Sequence, residues 1–380
     1  MSNKILTLLA VGDIGFRRPE PEKLFDFVAP TLKSGDVVVG QGEFPYSLRG
    51  DGTFVDPFFC HDEPADPAYI SAFSAVGFNV IHLAGNHIFD LGTPGVEDTI
   101  TKTQSLGIAY CGAGMNIDEA RRPALIERDG TRFGFLSYNC SGPAGSWATP
   151  TKPGCAYVSI LDAYELEQPC PGSKPETYSF NEPVSFQAML DDIKKLRPLC
   201  DVLVVHLHKG IGFLPVILAT YEQPLSYAAI DAGADLILGD HAHILKGIEL
   251  YKGKPIFHNL GNFAFARAKS KMSPGEMQEY RRQLNRRMGG PFFLEPDGTE
   301  TLFPRPETNL TVIAKCVIDG GKISGVSYFP CKINEQGQPE LLKNDERGKQ
   351  VFDYMDNITR GANLNARYRW EGDEVVINSD

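Results

Sequence analysis

Leu83-Ala84-Gly85-Asn86-His87-Ile88-Phe89-Asp90-Leu91-Gly92 sets an amide, an imidazole and a carboxylate side by side between an apolar run and a helix start. Residues 78–83 read as a buried strand, and Thr93-Pro94 reads as an N-cap with proline at the first helical position. Gly85 and Gly92 let the intervening backbone turn tightly. On such a strand-to-helix loop, the Asn86 carbonyl oxygen can ligate a metal. His87 can carry a proton, and Asp90 can hold the His87 ring in one orientation.

Working outward, the same arrangement recurs. Asp13 follows the apolar strand 5–11, which Gly12-Asp13 is expected to end, and Glu43 follows the valine-rich strand 36–40. His206 and His208 close strand 202–207, where period two puts both imidazoles on one side. Asp240, His241 and His243 follow strand 236–238, and His258 lies in the last strand of this part, 255–260. Helices are expected over 21–34, 67–76, 93–106, 186–197 and 225–232, with a further strand at 132–139 and an irregular surface excursion at 162–184. Alternation of strand and helix indicates α/β layers with the polar loops at strand ends.

The pattern changes after Phe265. Ser273-Pro274-Gly275-Glu276 is a capping box, and the helix that it opens gathers Arg281, Arg282, Arg286 and Arg287 before Gly289-Gly290. Arginine forks suit carboxylates and phosphates, so this segment is a candidate lid that recruits an anionic substrate. Segments 312–317 and 323–329 alternate across Asp319-Gly320-Gly321 as a hairpin, and a helix at 345–359 and a strand at 374–377 follow. The expected division is a catalytic core over 1–265, a basic helical insertion over 266–306, and a stretch over 307–380 that completes the same domain.

The chain has 380 residues, 42% hydrophobic and 22% charged, which is ordinary for a globular protein. Its formal net charge of -11 argues against general nucleic-acid binding. None of its eight cysteines has Cys-x-x-Cys spacing, which leaves a zinc ribbon or thioredoxin-like motif unsupported, and Cys140 and Cys316 read as small core residues. No run is long enough for a spanning helix and no signal-peptide cleavage pattern appears, so the reading is a cytoplasmic protein with reduced thiols.

Carboxylates, an amide oxygen and neutral imidazoles together suit manganese, iron or zinc, in one or two divalent ions, rather than an all-oxygen calcium cage. There is no Gly-x-Ser-x-Gly elbow, Walker loop or GxGxxG motif.

Taken in order, Gly12-Asp13, Glu43, Asn86-His87-x-x-Asp90-x-Gly92, His208-x-Gly210, Gly239-x-His241-x-His243 and Leu260-Gly261-Asn262-Phe263 resemble the bacterial capsule-synthesis family CapA. That family is associated with poly-γ-glutamate capsules and is similar to calcineurin-like metallophosphoesterases. The resemblance implies a metallophosphatase-like four-layer sandwich, with two mixed β-sheets flanked by helices. It implies that Asp13, Glu43 and His243 hold one metal. Glu43, Asn86, His208 and His241 would hold the other, with Glu43 bridging, His87 the general acid oriented by Asp90, and Asn262 beside the substrate. Phosphoesterases of this fold usually carry Asp-x-His at the first loop, where this chain has Asp13-Ile14-Gly15; Lys209 and Gly212 stand where the family commonly has Trp and Glu.

The expected activity is metal-dependent hydrolysis of a phosphoester or a γ-glutamyl-type amide. The substrate would be an anionic small molecule, a peptide or a glutamyl polymer. One competing reading is a metal-independent epimerase in which His87, His206 or Lys209 acts as base; another is a non-catalytic polymer-binding protein.

Overall fold

Period-two alternation along the apolar strands sorts this chain into layers. The computed structural model describes residues 4–50, 65–165, 176–266 and 306–379, together with Gly275, Gln278, Glu279 and Arg282. Leu8, Ala10, Val37, Val39 and Val80 of one sheet share a core with Phe133, Phe135, Val202, Val204, Leu236 and Leu238 of a second. The alternate residues of the first sheet, Leu9, Val11, Val38 and Ile81, pack outward on Leu24, Phe25, Leu32, Phe73, Val96 and Ile100. Those of the second sheet, Leu136, Leu203, Val205 and Ile237, pack on Met189, Ile193, Leu196, Leu225 and Ala229. The result is helix, sheet, sheet, helix: the four layers expected, with each fully buried aliphatic side chain contributing roughly 1.5–3 kcal/mol.

Both sheets are mixed. The larger runs, in spatial order, Ala366–Glu371, Glu374–Ser379, Lys322–Ile333, Leu310–Asp319, Leu6–Phe16, Val37–Gly42, Val80–His82 and Ala109–Cys111. Pairing is parallel from Leu6–Phe16 to Ala109–Cys111 and antiparallel on the other side. The smaller sheet runs Leu245–Tyr251, Lys254–Leu260, Leu236–His241, Val202–Lys209, Thr131–Asn139 and Ala124–Arg128.

Gly12-Asp13 does not end the first strand, as its composition suggested; the strand continues to Phe16 through a β-bulge between Val11 and Asp13. Val11 and Ile14 both belong to the outer cluster although three residues apart, so the bulge reverses the pleat and puts Asp13 on the inner face. Past the bulge the strand pairs with Asn262–Ala266, in register Asp13 to Asn262. A Cβ on Gly12 would sit 2.0 Å from the Gly261 carbonyl oxygen, so glycine is required for this approach.

Other expectations shift. The single helix expected over 21–34 is two short ones, Pro21–Phe25 and Ala29–Lys33. The excursion at 162–184 contains an antiparallel pair, Ile160–Glu165 with Glu176–Asn181, whose residues are largely exposed; with no buried face it carries no apolar period. Strand Leu245–Tyr251 was not anticipated, because Lys246 and Gly247 break its apolar run. The described cysteines are free and buried. Among the described residues no helix is long and apolar enough to cross a membrane. Arg281, Arg286 and Arg287 lie outside the described residues; Arg282 is exposed, with its guanidinium 2.9 Å from Glu279.

Candidate metal centre

The inner faces of the two sheets change character along their strands. Val37 and Val39 are followed at the same parity by Gln41 and Glu43, Val202 and Val204 by His206 and His208, and Leu236 and Leu238 by Asp240. An apolar core at the strand starts thus passes into a buried polar layer and then, at the strand ends, into a cluster of carboxylate, amide and imidazole side chains.

In that cluster Asp13, Glu43 and His208 are buried, and each offers a ligand atom within 4.8 Å of those of the other two. His243 Nδ1 is 3.6 Å from Asp13 Oδ2, and its Nε2 is 3.8 Å from Glu43 Oε1. Asn86 Oδ1 lies 2.8 Å from His208 Nε2, which is 3.2 Å from His241 Nδ1. His208 links these residues: its Nδ1 is 3.9 Å from Asp13 Oδ1, while its Nε2 faces Asn86 and His241. His241 and His243 both have positive φ, 94° and 53°, which costs on the order of 1–3 kcal/mol each and persists where surrounding structure imposes it.

Electrostatics favour a cation here. Asp13 Oδ1, both Glu43 oxygens and His208 Nδ1 find no hydrogen-bond partner, although the residues are buried. Burial pushes the Asp13 carboxyl up to about 6, with the Glu43 carboxyl and the His241 N–H pulling the other way. Burial, then the Asp13 charge, holds Glu43 well above the usual carboxylate range, and the same two causes raise Asp240. Burial keeps His208 well below its ordinary value and lowers His241 to about 4, so both imidazoles are neutral, the form that ligates metal. Carboxylates with neutral imidazoles and an amide oxygen are a donor set that fits manganese, iron or zinc.

His87 lies beside this cluster. Its Nδ1 is 2.7 Å from Asp90 Oδ2 and its Nε2 is 3.8 Å from Glu43 Oε1. Where a histidine would follow Asp13 in an Asp-x-His loop, a Cβ on Gly15 would come within 2.4 Å of Phe44 and 2.9 Å of Phe265. Aromatic rings fill that place. Phe265 also packs edge-on against His243 and Phe44 against His87.

Three expected site residues sit differently. Lys209, expected as a base beside His206, is on the opposite face of its strand, because 207 and 209 alternate with 206 and 208. Its Nζ donates to Ser226 Oγ at 3.0 Å and to the Glu222 carbonyl at 3.3 Å, and lies 3.2 Å from His258 Nδ1. His206 is in the layer beneath the cluster, with Nδ1 2.8 Å from Ser137 Oγ and Nε2 2.8 Å from Asp240 Oδ2. Asn262 is buried behind His243: its Oδ1 is 2.9 Å from His243 Nδ1, and its Nδ2 donates to the carbonyls of His243 and Thr308.

Asp240, named above with His241 and His243, shares parity with Leu236 and Leu238 and lies in the buried polar layer. Several other residues of the site were missed. Ser137 and Gln41 likewise extend apolar inner faces, whereas Glu222 and Lys246 carry no local pattern that reveals their burial.

Residues 7–267 match the model of the family described as bacterial capsule synthesis protein PGA_cap. The chain is similar to the capsule biosynthesis protein CapA of Bacillus anthracis, 28% identical over 288 residues, which are 73% of this chain and 64% of that protein. The match thus spans less than two thirds of that relative. It is also similar to the PGA biosynthesis protein CapA of Bacillus subtilis, 25% identical over 88% of this chain and 82% of that one. Among solved structures, the calcineurin-like phosphoesterase YfkN from Bacillus subtilis superposes with a TM-score of 0.38 at 13% identity, covering 94% of this chain and 99% of that one. With its matched span covering most of the chain, including every residue of the cluster, this protein belongs to the bacterial capsule synthesis protein family PGA_cap.

Proposed function

We propose that the protein is a metal-dependent hydrolase of a phosphoester or a γ-glutamyl-type amide. The observation that carries this reading is the buried convergence of Asp13, Glu43 and His208, with acceptor oxygens that no donor satisfies. In this reading Asp13, Glu43 and His243 would hold one divalent ion, and Glu43, Asn86, His208 and His241 would hold a second. When bound, the ions supply an activated water at neutral pH and charge stabilisation for the developing oxyanion.

The chain's own residues do the rest. Asn262 Oδ1 accepts a hydrogen bond from His243 Nδ1–H, which leaves the unprotonated Nε2 facing Glu43. Asp90 accepts from His87 Nδ1 and aims Nε2 at the cluster, where that nitrogen can hand a proton to a leaving group. Membership in a capsule-synthesis family and the printed names of the Bacillus relatives support an anionic, glutamyl-type substrate. The test is turnover of bis(p-nitrophenyl) phosphate and γ-glutamyl-p-nitroanilide by manganese-loaded protein. Hydrolysis of at least one, abolished by chelation, is expected; no turnover of either by protein with metal bound would contradict the reading.

A further inference from the structure

The antiparallel pair Ile160–Glu165 and Glu176–Asn181 stands apart from both large sheets as a ribbon of two strands. Such a ribbon is marginal in water by itself, and a further strand or a covered face stabilises it. Register puts Leu161 opposite Phe180, Ala163 opposite Tyr178 and Glu165 opposite Glu176, all on one face. Leu161 is 40% exposed, Tyr178 37% and Phe180 47%, and Tyr164 on the other face is 70% exposed. The first face is therefore an apolar surface that ends in two carboxylates directly across from each other, where like charges repel. Among the described residues no lysine, arginine or histidine forms an ion pair with either carboxylate.

The two edges of the ribbon differ. On the Glu176–Asn181 side, the Ser179 N–H donates to Thr220 Oγ1, and the Thr220 hydroxyl donates to the Ser179 carbonyl, both at 2.6 Å. The base is tied down where the Glu182 N–H donates to the Ser159 carbonyl at 2.8 Å. Along Ile160–Glu165, among the described residues, the backbone bonds to Glu176–Asn181 alone, so its outer edge is open. Open edges are commonly blunted by a lysine, a proline or a bulge. This strand has no lysine or proline, and its pairing runs without a register shift. It carries Asp162 and Glu165 instead, and with Glu176 and Glu182 on the other arm the described ribbon is acidic, with no lysine or arginine.

We propose that the open edge of Ile160–Glu165 is a docking site for an extended basic segment of a partner protein, which adds to the ribbon as a third strand. The backbone edge supplies the hydrogen bonds and the side chains set the sequence of the occupant. Apolar residues of the added strand lie beside Leu161 and Ala163, and lysine or arginine lies beside Asp162 and Glu165. A cation there relieves the repulsion between Glu165 and Glu176. Charge decides between this occupant and others. Two copies of the chain meeting at this edge would bring acidic ribbons together in a protein of net charge -11, and an anionic lipid surface would be repelled in the same way. This inference is independent of the metal centre.

The probe is a fluorescein-labelled peptide, Lys-Thr-Val-Lys-Val-Thr, which in antiparallel register sets its lysines beside Glu165 and Asp162 and its valines beside Ala163 and Leu161. Titrated into the full chain and read by fluorescence anisotropy, it is expected to bind saturably and to slow amide hydrogen exchange within residues 160–165. The same peptide with glutamate at both lysine positions is expected not to bind. The charge-reversed variant Glu165→Lys/Glu176→Lys and the apolar-face variant Leu161→Ser/Phe180→Ser should each weaken binding by about 10-fold or more. Both pairs are at the surface, so the melting temperature of the chain should stay near that of wild type. Absence of saturable binding by wild type overturns the proposal. So does binding that both variants retain at full strength, or protection that falls outside the ribbon. Self-association of wild type that Leu161→Ser/Phe180→Ser abolishes would assign the edge to a second copy, and binding to phosphatidylglycerol vesicles that the same variant abolishes would assign it to a lipid surface; either result overturns it.

Discussion

His82 and His206 lie on the inner faces of opposite sheets with ring centroids 4.5 Å apart, and the Nε2 of His82 has no hydrogen-bond partner. Burial lowers His82 to about 3. The folded value lies below the unfolded one, so the unfolded chain takes up a proton that the folded chain refuses. Stability from this residue is complete above about pH 6.5 and is lost progressively as the pH falls toward about 3. His82→Phe removes that loss, so its melting temperature relative to wild type should climb steadily from pH 7 to 4.5. A constant offset over that range would show that His82 is not held neutral. His87→Ala is expected to lower turnover by roughly 10²–10⁴-fold with metal content unchanged; loss of the metal instead would make His87 a ligand. Gly12→Ala forces a Cβ against the Gly261 carbonyl and displaces Asp13, so bound metal should fall together with thermal stability.

Elements explain which of these features were readable. Val37, Val39, Val202 and Val204 announce buried strands, and continuing their parity by one or two steps reaches Glu43, His206 and His208. Strand existence and the inward placement of these polar side chains were therefore legible from the same period. The bulge at Gly12 was not, because a strand that exchanges faces looks in sequence like a strand that stops. Lys209 was misplaced for the opposite reason: its neighbours carried the site signal, and its own parity, shared with Leu207, pointed away. The cluster it joins is built from separate elements, Glu222 at the start of helix Glu222–Ala232 and Lys246 in strand Leu245–Tyr251, so no local pattern announces it. Burial alone would raise the Glu222 carboxyl, and Lys246, Lys209 and His258 more than offset it, leaving it below its ordinary value. Glu222→Gln leaves two buried ammonium groups facing a neutral amide and should destabilise the fold by about 3–5 kcal/mol, read as a shift in the urea midpoint. An unchanged midpoint would mean that the lysines find other partners or water.

At the scale of the whole molecule, both sheets direct their strand ends to one place. Asp13, Glu43 and Asn86 come from the larger sheet and its loops, and His208, His241 and His243 from the smaller, so the centre exists only where the two layers meet. Six short motifs spread over the chain point to that meeting: Gly12-Asp13 sits at the bulge within its strand, and the others sit at or just past the end of a strand. The aromatic surroundings were not foreseen: Phe44, Phe213 and Phe265 read as ordinary core or loop residues until the fold sets them against His87 and His243. The central claim is that this meeting point binds divalent metal through a shared Glu43. The most direct test is elemental analysis of wild type and Glu43→Gln after dialysis against manganese and removal of free ion. Wild type should retain one or two ions per chain and Glu43→Gln close to none. A wild type that retains none, or a Glu43→Gln variant that retains as much as wild type, would contradict it.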